Sequence, residues 1–228
     1  FLHMFGDPIT NPMRWPTVRL DTVTDIASGI TKGRKLPEGG TVVVAYMRVA
    51  NVQDGHISLD DVKTIEVSHE EIRRYRLLEG DVLLTEGGDP DKLGRGAVWH
   101  GEIDPCIHQN HIFRVRCVSP RLLPEFASAV LGSELGKRYF LRAAKQTTGI
   151  ASINMTQLRG APMLLPPVER QLRFVDALRV IRSQRAKVGA GSVQLTALFD
   201  GLVASAFSGT LSSSDDAPDV GEECSCRT

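Results

Sequence analysis

A heptad pattern near the end of the chain constrains the fold more than any other sequence feature. One heptad position holds Phe174, Ile181, Val188, Leu195 and Leu202, and the partner position holds Leu178, Arg185, Ser192, Phe199 and Ala206. The first position is apolar throughout and the second only partly so. A helix of about 36 residues is about 50 Å long, which is too long to bury against one small domain. The pattern predicts a long helix at 167–210 that packs against a partner helix. A helix folded back on its own domain is the alternative.

The chain before this helix has the signals of one α+β domain over 13–166. β-Branched and apolar runs predict strands at 41–49, 81–85 and 106–115. Ser68 and Glu71 form a capping-box pattern, which predicts a helix start. A helical pattern covers 123–145, with a break at Gly132. We therefore expect a mixed, twisted β-sheet with short helices. Residues 1–12 are predicted to be a linker or the remnant of a preceding helix.

Charge is distributed unevenly along the chain, although the formal net charge is zero. Residues 212–228 hold five carboxylates against a single arginine, so residues 1–211 carry 26 basic and 22 acidic side chains. This mild excess of positive charge permits a polyanionic partner without requiring one. The segment 211–228 is acidic and has no aromatic residue, so it is predicted to be a disordered tail.

The sequence gives few indications of the cellular compartment. The sequence has no run of the roughly 20 apolar residues that span a bilayer, and no apolar signal segment opens it. Its four cysteines do not form a disulfide framework. A reducing cytoplasm without membrane contact is therefore expected.

Motifs for catalysis are missing from the sequence. The run 132–138 is one residue short of a P-loop and ends in arginine, and neither Gly-x-Ser-x-Gly nor His-Glu-x-x-His is present. A metal nuclease needs clustered carboxylates and a lysine. Glu86, Asp89, Asp91 and Lys92 are close in sequence, but they lie on a glycine-rich loop rather than on a rigid strand. We expect no catalytic residue and no cofactor.

A zinc site is also not expected. Cys106, His108, His111 and Cys117 are separated by one, two and five residues, whereas zinc sites usually use paired short spacings. A strand over this segment would point His108 and His111 to opposite faces.

Basic residues cluster on one predicted helix. Lys137, Arg138, Arg142 and Lys145 fall within an arc of about 140° at about 100° per residue, opposite an apolar side. Such a helix presents cations to phosphates, and the polar run 146–149 that follows supplies donors for phosphates or base edges. A solvated face without a ligand is the alternative interpretation.

Five segments together resemble the specificity (S) subunit of type I restriction-modification enzymes. They are WPTVRLDTV (15–23), YMRVANVQDGHI (46–57), LLEGDVLLTEGG (77–88), TTGIASINMTQLRGAPMLLPPVERQ (147–171) and AFSGTL (206–211). The resemblance covers one target-recognition domain and one conserved coiled-coil helix, whereas family members usually carry two such repeats. It implies either the C-terminal half of a split or truncated subunit or a single-repeat form that dimerises.

The resemblance implies DNA recognition without catalysis. A similar subunit reads half of a split target in double-stranded DNA, while a methyltransferase (M) subunit methylates adenine and a restriction (R) subunit cuts. Recognition residues do not transfer between family members, so our candidates rest on chemistry and loop placement. Besides the basic helix, they are Arg48, Asn51, Lys92, Arg95, Gln109, Gln146, Thr147, Thr148 and Asn154. The predicted contacts with a second half or a second copy are Phe174, Leu178, Ile181, Val188, Leu195, Phe199 and Leu202.

Two other functions stay open at this point. A protein–protein scaffold would use the heptad face without touching DNA. A metal-dependent nuclease on the 86–92 loop is the less favoured alternative.

Overall fold

The computed structural model describes residues 1–35, 40–89, 93–147 and 150–207. The chain divides into two units, Phe1–Ala177 and Leu178–Thr228. The helices are α1 Leu2–Phe5, α2 His69–Tyr75, α3 Pro124–Gly132, α4 Glu134–Ala143, α5 Met155–Arg159 and α6 Val168–Phe207. The strands are β1 Thr17–Arg19, β2 Thr24–Ser28, β3 Thr41–Met47, β4 Lys63–Ser68, β5 Val82–Thr85, β6 Gly87–Gly88, β7 Gly96–Val98, β8 Cys106–His108, β9 Ile112–Cys117, β10 Lys145–Thr147, β11 Ile150–Ser152 and β12 Pro162–Leu164. The fold is α+β, as the sequence predicts.

The described residues of the first unit contain four small sheets. The largest has the order β2-β9-β5-β7, and all of its pairs are antiparallel. A second sheet, β4-β3-β8, is mixed because β3 and β8 run parallel. The hairpin β10-β11 pairs with β6, and β1 pairs with β12. The predicted strand at 106–115 is interrupted, since residues 109–111 separate β8 from β9.

Apolar side chains of the two larger sheets form the core. Met47 of β3 and Leu83 of β5 belong to one buried cluster with Trp99 and Ile112. Asp81 is also fully buried, and it accepts two hydrogen bonds of 2.7 Å from the guanidinium of Arg116. A buried carboxylate is tolerated when it is paired in this way.

The helical segment at 123–145 breaks where the sequence predicts. α3 ends at Gly132, Ser133 adopts an extended conformation, and α4 begins at Glu134. The capping box is also confirmed, because Ser68 Oγ accepts from the backbone N–H of Glu71 at 3.2 Å. α4 ends at Ala143, however, so Lys145 does not lie on the helix.

Aromatic rings near the start of the chain pack against the first turns of α6. The ring centroid of Phe5 lies 4.8 Å from that of Phe126 and 5.6 Å from that of Phe174. Phe174 is only 5% exposed. The prediction that Phe174 contacts a partner helix is therefore wrong, because its side chain is enclosed within its own unit.

A buried glutamine holds the start of α6 to the domain. Gln171 is fully buried, and its Oε1 accepts from the backbone N–H of Leu123 at 3.0 Å. Its Nε2 donates to the carbonyl oxygens of Arg121 and Pro166, each at 2.8 Å. All the polar atoms of this amide are thus paired with backbone.

We expect Gln171→Leu to lower the free energy of unfolding by about 3 kcal/mol, because it leaves three backbone groups without their partner. Urea denaturation of the full chain measures this change. Arg173→Leu, which introduces the same side chain at an exposed site on the same helix, is the matched control. Equal stability of the two variants would contradict the role of the amide.

Candidate nucleic-acid interface

Helix α4 exposes its basic side chains and buries its apolar side. Lys137, Arg138 and Arg142 are all exposed, whereas Phe140 is fully buried. The hydroxyl of Tyr139 donates to the carbonyl oxygen of Gln157 at 2.8 Å, which holds the helix to α5. The helix therefore presents its cations to solvent from a docked position.

One of these cations has an ion-pair partner. Arg138 Nε lies 3.0 Å from Glu134 Oε1, one turn earlier on the helix. Both side chains are more than half exposed, at 54% and 59%. Exposed pairs of this kind contribute little free energy, so Arg138 can exchange this partner for a phosphate.

Lys145 lies on a strand instead of the predicted helix. It is the first residue of β10, opposite Ser152 of β11, and it is exposed. The backbone of Gln146 and Thr147 continues this strand, so the segment predicted as a polar loop is in part a hairpin. Lys92 and Thr148 lie outside the described residues, as do the side chains of Gln146 and Thr147.

Asn51 is buried and cannot reach a nucleic acid. It is 2% exposed, and its Oδ1 accepts from the backbone N–H of Arg48 at 2.9 Å. Its Nδ2 donates to the carbonyl oxygens of Ser58 and Asp61. The prediction for Asn51 is therefore wrong, because its amide closes the 48–61 loop.

Arg48 and Asn154 each have a structural partner. Arg48 Nη2 lies 2.7 Å from Asp61 Oδ2, and hydrogen bonds from Lys63 and Arg48 lower the pKa of Asp61 below its usual value. Asn154 caps α5, since its Oδ1 accepts from the backbone N–H of Gln157 at 2.9 Å. Arg48 therefore pairs within the 48–61 loop, and Asn154 stabilises the start of a helix.

A cleft of about 380 Å³ brings two of the predicted residues together. Arg95 and Lys137 line it, together with Gln53, Asp54, His56, Leu93, Gly94 and Gly132. We call it the Arg95 cleft. Gln53 and His56 were not predicted, because only a turn was expected at 51–55 and nothing in the sequence connects that turn with α4. Gln109 is half-buried and is not among the lining residues.

The nuclease loop and the cysteine–histidine cluster do not assemble a metal site within the described residues. Glu86 Oε2 lies 2.6 Å from His111 Nδ1, while Asp91 and Lys92 are outside the described residues. Burial lowers the pKa of His108 to about 4 and raises the pKa of Cys106 and Cys117 to about 12. In the part of the chain that is described, no group of three or more His, Cys, Asp or Glu side chains is placed to hold a metal ion.

The relatives named below are all type I restriction enzyme specificity subunits. No protein-family model matches it. The EcoKI type I restriction enzyme specificity subunit of Escherichia coli K12 is 24% identical over 198 residues, covering 83% of this chain and 41% of the relative. The putative MjaX type I specificity subunit of Methanocaldococcus jannaschii is 25% identical over 169 residues, covering 73% and 39%. The StySPI specificity subunit of Salmonella potsdam is 23% identical over 203 residues, covering 86% and 43%. The chain is homologous to type I restriction enzyme specificity subunits.

Solved structures of type I systems share the fold of this chain. The HsdS subunit from Thermoanaerobacter tengcongensis superposes with a TM-score of 0.51 at 20% identity, over 92% of this chain and 49% of that one. A chain from a study of assembly and conformational transition in the type I R-M system gives a TM-score of 0.53 at 20% identity, over 84% and 44%. This chain spans about two fifths of the length of the curated relatives named above. Among its described residues, no helix has the length and apolar character needed to cross a membrane.

Proposed function

We propose that this chain recognises one half of a bipartite DNA sequence as a non-catalytic specificity half-subunit of a type I restriction-modification complex. The observation that carries the proposal is a set of cations on and beside α4 in a homologue of specificity subunits. Arg95 and Lys137 share one cleft, Arg138 and Arg142 are exposed on the same helix, and Lys145 follows it. Cations grouped in this way suit a phosphate backbone.

Base recognition is assigned to polar side chains next to these cations. Gln146, Thr147 and Thr148 follow Lys145 in the sequence, and Lys92 precedes the residues of the Arg95 cleft. Amide side chains pair with adenine and basic ones with guanine through two hydrogen bonds. In this proposal, α4 fixes the position of the domain on the duplex, and the adjoining loops read the sequence.

The partners of the proposed half-subunit are double-stranded DNA, M subunits and, through them, R subunits. The M subunit would supply adenine methylation and the R subunit would supply cleavage. This chain would contribute only the recognition of the DNA sequence. The long helix would pair with a second specificity half or a second copy. A restriction complex of this kind would act in the cytoplasm.

A scaffold function is the second candidate, and the exposed apolar side chains of α6 favour it. Leu195, Phe199 and Leu202 are each more than half exposed, so the helix has an apolar surface available for a protein partner. A scaffold that never touches DNA would use this surface alone.

Selection from a pool of random duplexes tests the proposed function. We expect the full chain to enrich one short motif, with an affinity that falls steeply as salt rises. Four phosphate contacts correspond to a log–log slope of about −4. An unrelated duplex of equal length is the control for non-specific binding. Failure to retain any duplex at low salt would reject DNA recognition and favour the scaffold.

A further inference from the structure

The Arg95 cleft contains an arginine with one unpaired donor in the part of the chain that the structure describes. Arg95 Nε is buried, and it has no hydrogen-bond partner among the described residues. A buried N–H without an acceptor is destabilising, and more so when the group is charged. An oxyanion bound against the Arg95 guanidinium would gain charge-assisted hydrogen bonds from it.

Charge and space in the cleft suit an anion. Lys137 adds a second cation, and Asp54 is the one acidic side chain among the described lining residues. The amide of Gln53 donates one hydrogen bond to the carbonyl oxygen of Ala50 at 2.7 Å. The two cations of the cleft favour an anionic ligand such as a phosphate.

Two glycines of the cleft differ in the space around them. A Cβ at Gly94, where φ is +70°, would lie 2.5 Å from the buried ring of Phe140, so the backbone packs directly on that ring. A Cβ at Gly132 would meet no atom within 4 Å. A side chain added at Gly132 would therefore enter the cleft without displacing the surrounding structure.

We propose that the Arg95 cleft binds a single phosphate oxyanion between Arg95 and Lys137. The source is a phosphodiester of the DNA backbone, so this assignment rests on the proposed DNA recognition. A free nucleotide presents the same chemistry, and the experiment separates the two sources.

The first arm measures duplex binding by the full chain as a function of salt. Arg95→Gln combined with Lys137→Gln removes one phosphate contact. We expect the log–log slope to become shallower by about 1 and the affinity to fall about fivefold near physiological salt. Gly132→Met is expected to cause a similar loss by filling the cleft. Gly40→Met is the matched control, since a Cβ there also meets nothing within 4 Å and Gly40 does not line the cleft.

The second arm observes the Arg95 Nε–H directly by NMR, with Arg95→Gln used to assign the signal. Inorganic phosphate and adenosine monophosphate are added to the free protein. The resonance is expected to shift in the parent chain and in Gly40→Met, and to stay unchanged in Gly132→Met.

The outcomes separate the cleft from the wider function. If the parent chain binds DNA but the cleft variants keep its slope and affinity, the cleft assignment is overturned and DNA recognition stands. If phosphate shifts the Arg95 signal while no duplex binds, DNA recognition fails and a free nucleotide replaces the duplex as the source. If neither phosphate nor duplex affects the signal, the cleft is not an oxyanion site.

Discussion

Charge reversal of four residues on and beside α4 is expected to weaken DNA binding about 1000-fold at physiological salt. The variant replaces Lys137, Arg138, Arg142 and Lys145 by glutamate. Each phosphate contact contributes about 0.7 units of log affinity at this ionic strength, so four contacts give about 3 units. Repulsion between the new carboxylates and the phosphates adds to the loss. Fluorescence anisotropy with the selected duplex measures the change, and the salt slope should become shallower by about 3 to 4.

A second charge reversal controls for the overall charge of the protein. Lys32, Lys35, Arg73 and Arg74 are all exposed and lie outside the proposed interface. Replacing these four by glutamate changes the net charge by the same amount. We expect a loss of affinity below about tenfold, because only long-range attraction weakens. If both variants lost affinity equally, binding would depend on net charge and α4 would not be the interface.

The basic helix could be predicted because the residues that form its pattern lie close together in the sequence. Apolar and basic residues alternate with helical period across a few turns, and Gly132 marks the break. The structure confirms the break and the exposure of Lys137, Arg138 and Arg142. The position of Lys145 differs from the prediction because Lys145 lies on β10, which pairs with β11. β11 also pairs with β6, whose residues lie more than 60 positions earlier in the chain.

Burial in contacts that the local sequence pattern does not reveal explains the predictions that were wrong. Phe174 continues the heptad pattern, but Phe5 and Phe126 enclose it. Asn51 has the amide side chain of a base-reading residue, yet this amide donates hydrogen bonds to backbone carbonyl oxygens of the loop that it closes. The Arg95 cleft likewise depends on three separate segments meeting, and no short-range pattern records such a meeting.

Two aspartates on the apolar face of α6 are expected to abolish self-association of the chain. The variant combines Leu195→Asp and Phe199→Asp, at positions whose side chains are 69% and 64% exposed. Burial of each apolar side chain against a partner helix is worth about 1.5–3 kcal/mol, and a symmetric pair contains each site twice. The dissociation constant should therefore rise by more than about 1000-fold, since about 1.4 kcal/mol corresponds to a factor of ten. Sedimentation velocity of the full chain measures the change.

The opposite side of the same helix provides the matched control. Ala197 and Ala204 are exposed and lie roughly half a turn away from the apolar face. Ala197→Asp with Ala204→Asp adds the same charge and should leave association intact. If the parent chain were monomeric at every concentration, self-association would be rejected, and a second specificity half would have to be tested as the occupant.

The same variant separates recognition from spacing. In the proposed function, the domain reads a half-site and the paired helices set the distance between two such sites. The Leu195→Asp and Phe199→Asp chain should therefore bind a duplex with one half-site as tightly as the parent chain does. It should lose the added affinity for a duplex with two correctly spaced half-sites, because that gain comes from linkage rather than from new contacts. Unchanged preference for the two-site duplex would mean that α6 does not set the spacing.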